Sequence, residues 1–196
     1  RENPREADWI AGWAQALEAL RDALDLDRPL LLAHSFGGGA GILAAGAAPH
    51  RWRGLALVAS LGLRVHRAMH FSPVAYRWMA AGLHLPGVRT VFLKAASGTY
   101  RRVGLPTPVD WRELLFHVRL LASVDFKALT AAARAAEVPA LAVSALDDPV
   151  TQQSVQRNLA ATLPHALPVV FESGGHHLQK HRAPEVAAAV VERFAG

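Results

Sequence analysis

Apolar positions follow two different spacings along the chain, and each spacing predicts one kind of element. In residues 6–24 apolar side chains recur every three or four positions, which is typical of the buried face of an amphipathic helix. After Pro29 the spacing changes to a continuous apolar run, PLLLAHS. An uninterrupted run of this length predicts a strand that is buried on both faces of a parallel sheet.

The same two patterns alternate to the end of the chain. They predict, in order, a small-residue helix at 37–48, strands at 54–63 and 139–146, a helix at 151–163, a strand at 167–173 and a helix at 184–194. Pro184 stands where a first-turn proline would open the last helix. Alternating strands and helices predict an α/β fold, in which helices flank a parallel sheet.

One long interval departs from this rhythm. Residues 66–136 hold many aromatic side chains but no strand pattern, and a loop of that length without its own structure would be unusual. We therefore expect a helical cap insertion at 66–136 over the carboxyl edge of the sheet, with the core formed by 1–65 and 137–196. The aromatic side chains would fill the interior of the cap or line a substrate pocket.

Composition narrows the class of protein. The 196 residues suit one domain with an insertion, and 52% hydrophobic with 19% charged residues indicates a globular chain with a core. The formal net charge is +5, but the basic residues are scattered, which argues against a nucleic-acid partner. The absence of cysteine excludes disulfides, thiol nucleophiles and cysteine metal sites.

Neither a signal peptide nor a membrane span is predicted. The N-terminal stretch RENPREADW has no apolar segment, and the longest apolar region, at 30–48, is interrupted by His34, Ser35 and glycines. We therefore expect a cytoplasmic protein.

The first chemical candidate is Ser35, which lies between a predicted strand and a predicted helix. The sequence AHSFG at 33–37 fits the pattern G-x-S-x-G except that alanine replaces the first glycine. A serine at such a turn is lifted clear of the sheet, and the N–H of Phe36 at the helix N-terminus can stabilise an oxyanion. Gly37 is expected to permit the close approach of strand and helix. The alternative is a flexible joint without chemistry.

An acid and a base follow the next strands. Asp147 and Asp148 come directly after one predicted strand, and His176 and His177 come after the following one. Each pair alone is an ordinary turn signal. A catalytic triad is predicted, because a serine, an aspartate and a histidine occur in that order at the carboxyl ends of successive strands.

With these motifs the chain resembles the α/β-hydrolase fold family, from DWIAGWAQALEALRDALDLDRPLLLAHSFGG to RAPEVAAAVVERF. The resemblance implies that Ser35 is the nucleophile, Asp148 the acid and His176 the base. Asp147 and His177 are the close alternatives, and His177 stays open because the spacing from His176 to Pro184 is one residue longer than usual. A serine nucleophile argues against haloalkane dehalogenase or epoxide hydrolase chemistry.

The chain also departs from that family. Members usually begin several strands earlier, and one earlier loop supplies the second oxyanion N–H. The strands predicted here would correspond to the family's fifth to eighth, which leaves the strand before Ser35 at an edge of the sheet. We expect N-terminal strands of a longer protein, or a second copy of the chain, to cover this edge and supply the second donor.

Two functional hypotheses follow. The first is a serine hydrolase that cleaves a carboxylic ester or a related small-molecule acyl substrate through an acyl-enzyme, with no metal or organic cofactor. His34, Phe36 and His177 are expected to contact the substrate, and acyl transfer or C–C bond hydrolysis are variants of the same chemistry. The second is a non-catalytic or weakly active fragment that serves as a binding or structural module.

Overall fold

The structure is a computed structural model that describes residues 9–102, 106–108 and 110–195. The start of the first predicted helix, at residues 6–8, lies outside the described residues. The strands are β1 (Leu30–His34), β2 (Gly54–Val58), β3 (Ala140–Ala145) and β4 (Ala166–Phe171). The helices are α1 (Trp9–Ala23), α2 (Gly37–Ala47), α3 (Pro73–Gly82), α4 (Pro86–Arg102), α5 (Trp111–Ala122), α6 (Phe126–Ala135), α7 (Gln153–Thr162), α8 (Leu178–His181) and α9 (Ala183–Phe194).

The four strands form one parallel sheet in the order β1-β2-β3-β4. The register places His34 opposite Val58, Val58 opposite Val143 and Val143 opposite Val169, so the carboxyl ends of the strands share one edge. The predicted α/β class is confirmed. Residues that follow β1, β3 and β4 are therefore close in space although they are far apart in the chain.

Helices cover both faces of this sheet. On one face, β2 side chains such as Leu55 and Leu57 pack with the small-residue helix α2 and with Ile10 of α1. On the other face, Val58 and Val143 pack with α8 and α9, chiefly through buried apolar side chains. The burial of apolar area on both faces is what stabilises the central strands.

The burial of β1 differs from the prediction. Leu32 is 63% exposed, although Leu30 in the same strand packs against the apolar cluster that includes side chains of α9. Within the described residues no strand pairs with the outer edge of β1. Leu31 is the one buried residue of β1, so the apolar run PLLLAHS forms a strand that is partly exposed.

The end of β2 was also predicted wrongly. The strand stops at Val58, not at residue 63, because Ala59 adopts a left-handed backbone with φ 45°. The chain then turns toward β1, and Leu61 N–H donates a hydrogen bond to the carbonyl of Ser35. The apolar residues after Val58 are buried in this turn without being part of the sheet.

The glycine that permits the close approach of α2 is Gly38, not Gly37. A Cβ atom added at Gly37 would meet no atom within 4 Å, whereas one at Gly38 would lie 2.0 Å from Oγ of Ser60. Deeper in α2, a Cβ atom at Gly46 would lie 2.3 Å from the carbonyl oxygen of Ala132 in α6. Small residues in α2 therefore let the helix lie directly against β2 and α6.

The interval between β2 and β3 contains helices α3 to α6, and no strand occurs among its described residues. Ser72, Asp110 and Asp125 cap α3, α5 and α6 by accepting hydrogen bonds from backbone N–H groups of the first turns. Helix α6 packs against α2, while α3 and α4 pack against α5. In the part of the chain that the structure describes, no helix is both long and apolar enough to span a bilayer.

Candidate active site

Ser35 occupies a strained turn at the carboxyl end of β1. Its φ is 53°, in the left-handed region, which costs a residue with a side chain about 1–2 kcal/mol. Both of its backbone groups are held by β2 and the turn that follows it: its N–H donates to the carbonyl of Val58 (3.0 Å), and its carbonyl accepts from the N–H of Leu61 (2.9 Å). These bonds fix the conformation that raises the hydroxyl above the sheet edge.

His176 follows β4 and brings its imidazole to Ser35. Nε2 of His176 lies 2.7 Å from Oγ of Ser35. The loop that carries His176 passes through Gly174 and Gly175, whose φ values of 144° and 62° favour glycine. Their N–H groups donate to the carboxylate of Asp147 at 3.2 and 2.8 Å, so Asp147 anchors the loop.

Asp148 lies on the other side of the same imidazole. Its Oδ2 is 3.0 Å from Nδ1 of His176, and its Oδ1 accepts from the N–H groups of Val150 (2.7 Å) and Thr151 (3.0 Å). Asp148 and His176 are only 2% and 5% exposed. Because a carboxylate can only accept, Nδ1 carries the hydrogen and Nε2 is free to accept the hydroxyl proton of Ser35.

His34 and His177 lie beside this chain of hydrogen bonds. Nε2 of His34 donates to the carbonyl of His176 at 2.9 Å. The ring of His177 is 5.6 Å from the rings of His34 and His176, and 6.5 Å from that of His181. Burial is the main cause that lowers the pKa values of His34 and His177. Neither side chain lines the cavity described below.

His66 was not singled out by the sequence, since no motif surrounds it. It is 7% exposed, and its Nδ1 donates to the carbonyl of Val150 at 3.2 Å. The N–H of Ala68 donates to the same carbonyl at 3.2 Å. Burial lowers the pKa of His66 to about 4. A neutral histidine thus ties the segment after β2 to the turn that holds Asp148.

A cavity of about 880 Å³ opens beside Ser35. Phe36 and Leu61 line it from the sheet side, and apolar side chains of α3, α4 and α5 form much of the opposite wall. The segment 66–71, the turn at 150–151 and the carboxylate of Glu113 also line it. This volume is in the range of small-molecule sites, which are mostly apolar with a few placed polar groups. The polar groups here include Ser35, His66 and a hydrogen-bonded pair formed by Tyr100 and His117.

The backbone of Phe36 stands at the N-terminal end of α2. Within the described residues its N–H has no hydrogen-bond acceptor in the protein. An N–H group in this position carries the partial positive charge of a helix N-terminus and can donate to an anionic oxygen.

The structure brings three of the predicted residues together: Ser35, His176 and Asp148. Of the residues expected to contact substrate, Phe36 lines the cavity, whereas His34 holds the backbone of His176. Asp147, the alternative acid, is exposed and bonds glycine N–H groups instead of an imidazole. This arrangement can deprotonate a serine next to an apolar cavity.

A family sequence model and several solved structures match the chain. Residues 1–189 match the sequence model of the alpha/beta hydrolase family. Among curated proteins, none matches the chain.

Solved structures share the fold at low sequence identity. The enol-lactonase from Burkholderia xenovorans LB400 is 20% identical, with a TM-score of 0.69 over 95% of this chain and 73% of that one. The 2-hydroxy-6-oxo-6-phenylhexa-2,4-dienoate hydrolase from Rhodococcus sp. strain RHA1 is 17% identical, with a TM-score of 0.68 over 100% and 74%. A hydrolase from Oleispira antarctica is 15% identical, with a TM-score of 0.65 over 100% and 75%.

Proposed function

The chain belongs to the alpha/beta hydrolase family, and from this premise we propose that it is a serine hydrolase that cleaves a carboxylic ester or a related acyl compound. Ser35 is the proposed nucleophile, His176 the general base and Asp148 the residue that orients the base. The N–H of Phe36 is the proposed oxyanion donor.

One observation carries this proposal: an unbroken chain of hydrogen bonds runs from the strained serine to a buried carboxylate. Ser35 Oγ is 2.7 Å from Nε2 of His176, and Nδ1 of the same ring is 3.0 Å from Asp148. Both distances are within the range of ordinary hydrogen bonds. A serine hydroxyl is a weak nucleophile until a base removes its proton, and this geometry supplies the base in the required tautomer.

In the proposed acylation, Oγ of Ser35 forms a bond to the carbonyl carbon of the ester while its proton passes to Nε2 of His176. The carbonyl oxygen becomes an oxyanion that accepts a hydrogen bond from Phe36 N–H. As the carbon–oxygen ester bond breaks, the leaving alkoxide takes the proton from His176 and departs as the alcohol. The carboxylate of Asp148 stabilises the imidazolium in between.

Deacylation repeats these steps with water. His176 accepts a proton from a water molecule whose oxygen attacks the acyl carbon, and the bond to Ser35 Oγ then breaks as the serine recovers its proton. The products are a carboxylic acid and the free enzyme. None of these steps calls for a metal ion or an organic cofactor.

Residues 66–136 are the proposed cap of the enzyme, and α3, α4 and α5 are the helices of this cap that face the cavity. They supply most of the apolar lining of the cavity that Ser35 enters. An apolar wall excludes water from the acyl group and strengthens hydrogen bonds to the oxyanion. A medium-sized apolar acyl group therefore suits this cavity better than a short polar one.

Hydrolysis of 4-nitrophenyl esters tests the proposal. We expect turnover of butyrate to octanoate esters and a covalent acyl adduct on Ser35, detected by mass spectrometry of peptides after rapid quenching. Ser35→Ala should remove both and remain folded. Ser154→Ala, at an exposed position of α7, is the matched control and should retain both. Wild-type turnover in Ser35→Ala would refute the assignment, and a folded wild-type chain without turnover would favour the non-catalytic alternative.

A further inference from the structure

A polar pair lies within the apolar wall of the cavity, apart from Ser35, His176 and Asp148. Tyr100 of α4 and His117 of α5 both line the cavity. Their rings are stacked, with centroids 5.4 Å apart and planes at 16°, and Tyr100 Oη is 2.9 Å from Nδ1 of His117. The mechanism above uses neither side chain.

Both members of the pair are neutral at pH 7. Burial lowers the pKa of His117, and burial together with the nearby carboxylate of Glu113 raises the pKa of Tyr100 to about 12. A neutral phenol and a neutral imidazole carry one polar hydrogen each. Their mutual bond uses one of the two hydrogens, whichever residue donates. The pair therefore keeps one hydrogen beyond its mutual bond, for which a substrate oxygen competes with the nearby carboxylate of Glu113.

A carboxylate that enters the cavity would approach another carboxylate, because Glu113 is one of the residues that line it. Among the described side chains that line it, none is a lysine or an arginine. His66 is neutral at pH 7, because burial lowers its pKa to about 4. The second carboxylate would lose its hydration in a largely apolar space and be repelled by Glu113, which is strongly unfavourable. A neutral oxygen loses far less and can accept the remaining hydrogen of the pair.

We propose that Tyr100 and His117 form a specificity site for a neutral hydrogen-bond acceptor, so that preferred substrates are uncharged acyl compounds with a ketone, ether or hydroxyl oxygen on an apolar chain. This inference rests on the proposed function, since it concerns the cavity that holds the acyl group. Substrates with a second, free carboxylate are disfavoured at the same site.

Binding to the Ser35→Ala chain tests the inference without hydrolysis. The probes are methyl octanoate, the methyl oxo-octanoates with the ketone at carbon 5, 6 or 7, and monomethyl suberate, which ends in a carboxylate. Dissociation constants are measured by calorimetry at pH 8, where histidine side chains are generally neutral. We expect one oxo ester to bind about three- to tenfold more tightly than methyl octanoate, as one net hydrogen bond allows. Monomethyl suberate should bind at least about tenfold more weakly.

Variants then assign the preference to the pair. Tyr100→Phe with His117→Phe keeps two stacked rings but removes both polar hydrogens, so the ratio between the oxo ester and methyl octanoate should fall to about one. Tyr76→Phe is the matched control, because the Tyr76 hydroxyl lines the same cavity but donates to the carbonyl of Met69. This variant should keep the preference. Thermal melts establish that each variant is folded.

Three results would overturn the inference: no oxo ester preferred over methyl octanoate, monomethyl suberate bound as tightly as the oxo esters, or an undiminished preference in the double variant. The first two need no variant at the pair, so they decide the question even if the double variant does not fold. Because binding is measured without Ser35, a preference with no esterase activity in the wild type would refute the proposed function alone. Esterase activity without the preference would refute this inference alone.

Discussion

Nε2 of His34 donates a hydrogen bond of 2.9 Å to the carbonyl oxygen of His176. The residue that precedes the proposed nucleophile therefore holds the backbone of the proposed base. His176 is fixed at two points, by His34 at its carbonyl and by Asp148 at its Nδ1. Such double attachment limits rotation of the imidazole, which preserves the short contact with Ser35.

The two adjacent histidines should differ sharply in their effect on turnover. His176→Ala removes the base that contacts Ser35, so kcat/KM for nitrophenyl esters should fall on the order of 10⁴-fold. His177→Ala removes a ring that contacts neither Ser35 nor Asp148, and the loss should stay within about tenfold. Steady-state kinetics of both variants measure this difference. A larger loss at His177 would transfer the role of base to that residue.

The adjacent aspartates give a second matched comparison. Asp148→Asn removes the negative charge and allows the amide to donate to Nδ1, which favours the wrong tautomer of His176, so kcat should fall about 10³- to 10⁴-fold. Asp147→Asn leaves a carbonyl oxygen that can still accept from Gly175, and the loss should be under about tenfold. If Asp147→Asn were the more damaging change with its fold intact, the acid would be assigned wrongly.

His66 should make the protein less stable in mild acid. The pKa of His66 is lowered to about 4 in the folded chain, against 6.5 for an ordinary histidine, so only the unfolded chain takes up this proton between those values. The stability linked to His66 is therefore present above pH 6.5 and is lost as pH falls toward 4. From pH 7 to pH 5 this one group should lower the free energy of unfolding by about 2 kcal/mol.

His66→Asn separates this effect from other titrations, because the asparagine amide can still donate to Val150 but has no proton to gain. Urea unfolding at pH 7 and pH 5 should show a smaller decrease in the variant than in the wild type, by about 2 kcal/mol. His50→Asn, at an exposed histidine, should leave the decrease unchanged. Equal decreases in the wild type and His66→Asn would exclude His66 as the cause.

Replacement by alanine should have opposite effects on the free energy of unfolding at two helical glycines, Gly46 and Gly98. A Cβ atom at Gly46 would lie 2.3 Å from the backbone oxygen of Ala132, so Gly46→Ala should push α2 away from α6 and lower the free energy of unfolding by about 1–3 kcal/mol. A Cβ atom added at Gly98 in α4 would meet no atom within 4 Å, so Gly98→Ala should raise the free energy of unfolding by about 0.5–1 kcal/mol. Urea unfolding measures both changes, and a neutral Gly46→Ala would contradict the packing of these helices.

The two central strands, β2 and β3, could be predicted from the sequence because they are buried on both faces. All six residues of β3 are buried, and the apolar run predicted this strand to within one residue at each end. The same reasoning failed at the end of β2, because an apolar run does not distinguish a strand from a buried turn. It failed at Leu32 because Leu32 lies in the outer strand β1, and a local apolar pattern does not specify which side chains of an outer strand are covered.

Only part of the candidate site could be predicted from the sequence. Strand ends that share one sheet edge predict that Ser35, Asp148 and His176 approach one another, although 141 positions separate the serine from the histidine. His66 could not be found in this way, because its role depends on the carbonyl of Val150, 84 positions away. Tyr100 and His117 lie on two helices whose packing no local motif specifies.

Labelling with a fluorophosphonate tests the account most directly, because the probe reacts with a serine only when a base activates it. We expect the folded wild-type chain to take up one equivalent of probe, located on Ser35 by peptide mass spectrometry. Ser35→Ala and His176→Ala should abolish labelling, and His177→Ala should retain it. A folded wild-type chain that takes up no probe, or one whose labelling survives His176→Ala, would contradict the proposed serine hydrolase.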